Sequence, residues 1–126
     1  MIVLFTDFGA RGPYTGQMTA VLHAAAPGTP LVDLMAHAPA CDARASAYLL
    51  AACSRPFPAD TVFLAVVDPG VGSSRLACVV RADERWFVGP DNGLFEMVMR
   101  RAARTRCWQI DWRPPRLSAT FHGRDL

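Results

Sequence analysis

Two aspartates stand where a carboxylate can meet a ligand. Asp7 follows the apolar run 2–6 and precedes Phe8-Gly9, while Asp68 follows the run 61–67 and opens the loop Asp68-Pro69-Gly70-Val71-Gly72-Ser73-Ser74-Arg75. A carboxylate just past a buried strand can accept hydrogen bonds from ligand hydroxyls, a ribose diol being one natural partner. The competing role for Asp7 is to cap the next turn. One proline and two glycines make the second loop tight, with exposed backbone amides. Asp68 and Arg75 lie seven residues apart, so the loop can fold back and pair them. The competing reading is a structural loop with one salt bridge. The loop lacks the Lys-Ser/Thr ending of a phosphate-binding P-loop, which argues against a nucleoside triphosphate site of that kind.

Two further clusters carry polar groups. Gly89-Pro90-Asp91-Asn92-Gly93 is turn chemistry first. Phe121-His122-Gly123-Arg124-Asp125 sets a histidine among small and charged residues. Arg100, Arg101 and Arg104 fall near the end of a helical stretch, where cations complement the helix dipole, and read as a solvated face.

The elements that must position these groups follow from hydrophobic rhythm. The runs 2–6 and 61–67 are continuously apolar, as in strands buried on both faces of a sheet covered by helices, and 30–34 is a shorter candidate strand. Helices are predicted over about 13–25, with Pro13 at the start and Pro27-Gly28 after the end, and over about 42–53, with Asp42 as N-cap. The second half predicts a hairpin of 76–82 and 85–89 around Asp83-Glu84, a helix over about 94–103 and a last strand near 106–111. Strand–helix alternation predicts an α/β fold: a three-layer sandwich with a mainly parallel central sheet flanked by helices. In such sheets ligands bind at the carboxyl ends of the strands, where Asp7 and Asp68 stand.

Composition narrows the class. The 126 residues fit one domain, 1–126, and 52% are hydrophobic, enough for a core. A formal net charge of +2 is too mild to argue for nucleic acid or an anionic membrane. Cys41, Cys53, Cys78 and Cys107 form no CxxC pair and no zinc-like spacing, so free thiols in a reducing cytoplasm are expected. No stretch approaches the ~18 consecutive apolar residues of a membrane span. The N-terminus shows no basic leader region and no cleavage signal, so a cytoplasmic location is the expectation.

Taken together, the clusters resemble one family. TDFG at 6–9, Pro-Tyr-x-Gly at 13–16, VVDPGVG with its trailing Arg75, VGPDNGL at 88–94 and the terminal FHGRD are similar to the S-adenosylmethionine (SAM) hydroxide adenosyltransferases, the adenosine-forming SAM hydrolases. Relatives of that family attack the same molecule with chloride or fluoride. No single motif is specific, but their joint occurrence along the chain is.

The resemblance implies an N-terminal α/β domain that a β-barrel follows, and a homotrimer in which a neighbouring barrel completes the pocket. On this view the chain is an N-terminal domain cut short of the barrel. The substrate is SAM; no separate cofactor, metal, nucleic acid or membrane is implied. Asp68, Arg75 and His122 match the set that activates water, which the halogenating relatives lack. Asp7 matches the ribose-binding carboxylate. Phe8, Tyr14, Asp91 and Asn92 fall in motifs near the substrate.

Three positions depart from the pattern: Gly12 replaces an acidic residue, Asp33-Leu34-Met35-Ala36 lacks a histidine, and Cys41 stands where an aromatic residue is common. The competing functions are a binding-only remnant, a SAM-dependent halogenase and a metal-dependent phosphohydrolase. Against the last, the chain has no Asp-x-Asp and no His-x-His.

Overall fold

The computed structural model describes residues 1–112. The elements are β1 (Ile2–Thr6), α1 (Tyr14–Ala25), β2 (Leu31–Met35), α2 (Ala43–Cys53), β3 (Val62–Val66), β4 (Ala77–Ala82), β5 (Arg85–Pro90), α3 (Glu96–Arg101) and β6 (Thr105–Ile110). One six-stranded sheet has the order β2-β1-β3-β5-β4-β6. β2, β1, β3 and β5 pair in parallel; β4 runs antiparallel to both β5 and β6. The sheet is mainly parallel and flanked by helices, as the alternating pattern predicts.

The apolar runs become the central strands because both faces of the sheet are covered there. Val3, Phe5 and Phe63 point to the α2 and α3 side, into a core with Leu50, Phe87 and Val98. Leu4 and Val66 point the other way, onto Met18 of α1. Phe63 stacks on Phe87 with ring centroids 4.9 Å apart. Asp42 caps α2: its Oδ1 accepts the Ala45 N–H at 2.9 Å.

α3 departs furthest from the pattern-based expectation. It is six residues long rather than the expected span of 94–103. Leu94 and Phe95 are buried in the turn that precedes it, and Ala102 turns extended to feed β6. The Asp83 turn is pinned to β6 as well as closing the hairpin: its amide donates to the Arg104 carbonyl, and its Oδ1 accepts the Arg104 N–H. Arg100 and Arg101 are exposed, and Arg100 pairs with Glu96 one turn away, as a solvated face requires. That hydrogen bond raises the Arg100 pKa.

The α1 side is unevenly covered. α1 lies over β1 and β3, while a mainly apolar cleft of about 430 Å³ remains beside it. The cleft runs from Ile2 and Val62 to Asp68 and Arg75. Farther out, Trp86 and Trp108 stack at 5.8 Å, with the Arg81 guanidinium 5.1 Å over Trp86.

Candidate active site

The parallel register brings the two aspartates to the same edge of the sheet. Thr6 of β1 is level with Val66 of β3, so the chain segments carrying Asp7 and Asp68 both leave the carboxyl edge of adjacent strands. Both residues are half-buried.

The loop after β3 folds back on itself. Asp68 Oδ1 accepts the Gly70 N–H at 3.0 Å and the Arg75 Nη1–H at 2.7 Å. Ser73 Oγ accepts the Arg75 amide at 3.3 Å, and the Ser73 amide donates to the Gly70 carbonyl. The ion pair is largely screened from solvent, with side-chain exposures of 27% for Arg75 and 16% for Asp68. Gly70 makes the pairing sterically possible: a Cβ there would collide with the guanidinium, lying 2.7 Å from Arg75 Cζ. Among the described residues, Asp68 Oδ2 has no hydrogen-bond partner. The loop therefore presents a carboxylate oxygen beside a fixed guanidinium, a combination that can accept a proton from water and stabilise hydroxide character on it.

Asp7 faces a different partner. Its Oδ2 accepts the backbone N–H of Cys41 at 2.9 Å, from the loop between β2 and α2. Phe8 packs against the Leu4, Met18 and Val66 cluster and meets Tyr14 edge-on, with centroids 6.0 Å apart. Tyr14 opens α1 and is 46% exposed.

The turn after β5 braces the edge. Asn92 Nδ2 donates to the Val67 carbonyl at 2.8 Å, and its Oδ1 accepts the Leu94 N–H at 3.1 Å. That amide holds the turn against the end of β3. Asp91 is exposed, and its own N–H donates to the Leu76 carbonyl. His122 lies outside the described residues.

Spacing anticipates the Asp68–Arg75 pair. It does not reveal Cys41, whose contribution is a backbone amide contacting a residue 34 positions away. Nor does it reveal how Gly70 makes room for Arg75, although a glycine in that loop is the visible trace.

The family described as the SAM hydroxide adenosyltransferase N-terminal domain matches residues 2–126. The chain belongs to this family. Two proteins named (R)-S-adenosyl-L-methionine hydrolase illustrate the SAM hydroxide adenosyltransferase relationship. The one from Thermus thermophilus is 42% identical, over 99% of this chain and 52% of its own length. The one from Methanocaldococcus jannaschii is 34% identical, over 100% of this chain and 49% of its own.

An uncharacterized conserved protein from Thermotoga maritima has a crystal structure that superimposes with a TM-score of 0.95 at 35% identity, covering 100% of this chain and 50% of that one. A conserved hypothetical protein of Thermus thermophilus gives 0.79 at 39% identity, covering 90% and 47%. The chain spans about half the length of the curated relatives it matches.

Proposed function

We propose that this domain carries the water-activating and ribose-binding groups of an enzyme that hydrolyses SAM to adenosine and L-methionine. The observation that carries the reading is the Asp68–Arg75 ion pair at the carboxyl end of β3, next to the strand that Asp7 follows. Family membership and relatives named as SAM hydrolases support the substrate.

In this mechanism water attacks the ribose C5′ carbon in line with the sulfonium. The C5′–S bond breaks, its electron pair stays on sulfur, and methionine leaves as a neutral thioether. No acid is needed for that leaving group, so the barrier lies in alignment and in activating the water. Fixed orientation can supply ~7–11 kcal/mol of such a barrier. Arg75 stabilises negative charge on the attacking oxygen, and Asp68 Oδ2 accepts or relays its proton. His122 joins this set on the strength of its motif. Asp7 binds the ribose diol, Phe8 and Tyr14 border the substrate, and the turn carrying Asp91 and Asn92 supports the site.

The guanidinium on Asp68 favours water over a metal-bound nucleophile, because a cation there would displace or repel Arg75. No cofactor beyond the substrate takes part in the proposal. The working form is a cytoplasmic homotrimer completed by a C-terminal barrel, a proposal that rests on the resemblance. Among the described residues no helix is long and apolar enough to cross a membrane.

The test is adenosine release from SAM by the full-length enzyme, followed by chromatography. Asp68→Ala and Arg75→Ala are each expected to abolish release while circular dichroism shows a folded protein. Excess chelator is expected to leave the wild-type rate unchanged. Wild-type turnover in either variant removes that residue from the mechanism. Loss to chelator with rescue by magnesium or manganese favours the phosphohydrolase.

A further inference from the structure

The Asp7 carboxylate is held by a residue whose side chain plays no part in holding it. Cys41 is exposed and adopts φ 53°, in the left-handed region that non-glycine residues seldom occupy. In that conformation its N–H donates to Asp7 Oδ2 at 2.9 Å.

The surrounding loop leaves little freedom to do otherwise. The Ala38 N–H donates to the Thr6 carbonyl at 2.9 Å, and the Gly9 N–H donates to the Ala36 carbonyl at 2.7 Å. These two bonds stitch the loop after β2 to the end of β1 and to the loop that follows it. On the other side, the Asp42 amide closes a turn onto the Pro39 carbonyl, and the Asp42 side chain caps α2. Cys41 sits between a stitched loop and a capped helix. A strained conformation persists where its surroundings over-determine it, and such residues cluster at functional sites.

We infer that Cys41 is a positioning residue for ribose recognition: its left-handed amide occupies one oxygen of Asp7 and turns the other toward the ribose hydroxyls. The inference rests on the proposed role of Asp7 as the diol-binding carboxylate. Among the described residues, Asp7 Oδ1 has no hydrogen-bond partner, which leaves that oxygen to a ligand donor. The determinant is the backbone conformation at position 41, so residue types that differ in their tolerance of positive φ should differ in ribose binding.

The experiment measures calorimetric affinities of the full-length enzyme for adenosine and for 2′,3′-dideoxyadenosine, which lacks the diol. Cys41→Val makes the left-handed conformation costly. It is expected to weaken adenosine binding about tenfold, the scale of one impaired hydrogen bond to a charged group, and to leave the dideoxy analogue unaffected. Cys41→Gly accepts positive φ without strain and is expected to bind adenosine about tenfold tighter than Cys41→Val. Cys41→Thr, a milder β-branched change, gives the same comparison if Cys41→Val does not fold.

Equal adenosine affinity in the β-branched and glycine variants overturns the inference. So does a loss in Cys41→Val that affects adenosine and the dideoxy analogue alike. Asp7→Ala separates the two levels. If it loses the preference for adenosine over the dideoxy analogue while Cys41→Val and Cys41→Thr keep it, only the positioning role fails. If Asp7→Ala keeps the preference, the ribose reading of Asp7 fails and the inference falls with it.

Discussion

At the scale of single residues, the site depends on a guanidinium packed over a glycine. Gly70 does not adopt the left-handed conformation, so alanine fits the chain but not the space, because its Cβ would lie 2.7 Å from Arg75 Cζ. Arg75 must then swing off Asp68. A displacement near ~1 Å can cost about a hundredfold in rate. Gly70→Ala in the full-length enzyme is therefore expected to lower kcat about a hundredfold with a small change in melting temperature. In an Arg75→Ala background, where no turnover remains to be lost, the same substitution should not lower the melting temperature further, since both changes remove one interaction. Additive losses in the double variant would show that Gly70 acts elsewhere. The pairing itself was legible in the sequence, because a separation of seven positions spanned by a proline and two glycines favours a fold-back loop. The amide of Cys41 was not, because it depends on two loops meeting across the sheet edge. Hydrophobic pattern reports burial and says nothing about which N–H will face a carboxylate.

At the scale of elements, the central strands were legible because burial on both faces leaves an unbroken apolar run, as in 2–6 and 61–67. The short α3 was not: Leu94 and Phe95 continue a helical pattern, yet the core takes them while they are still in the turn. Where β4 meets β6, Cys78 is 4% exposed and lies near Cys107. Burial first, and then the neighbouring thiol, push the Cys78 pKa up to about 12 from an ordinary 9.0. The folded-state pKa therefore lies above the unfolded one. The thiol is neutral when protonated, so its contribution is complete below about pH 9 and is lost as pH rises toward about 12. Urea unfolding at pH 8 and pH 10.5 should show a larger loss of stability in the wild type than in Cys78→Ala. Equal losses would mean that the thiol ionises as easily folded as unfolded. Alkylation at pH 8 should modify the exposed Cys41 and Cys107 well before Cys78.

At the scale of the whole molecule, the site has to be weighed against the ligand it is proposed to hold. A small-molecule pocket usually encloses about 70–90% of its ligand. Here the polar groups lie along one edge of the sheet, at Asp7, Asp68 and Arg75, and the adjoining cleft is mainly apolar and open beside α1. The 126-residue chain, assayed by itself, is therefore expected to bind SAM weakly and to release adenosine slowly. Its surface points the same way: Trp108 on the edge strand β6 and Trp112 just after it are 43% and 59% exposed. Exposed apolar area of that kind favours association, so the chain should sediment as larger species at higher concentration. Calorimetric titration with SAM, paired with an adenosine-release assay, measures both halves of the expectation. Micromolar affinity with steady turnover would show that Asp7, Asp68 and Arg75, with the rest of this chain, make a self-sufficient site, and the proposal of a pocket completed by a barrel would have to be abandoned.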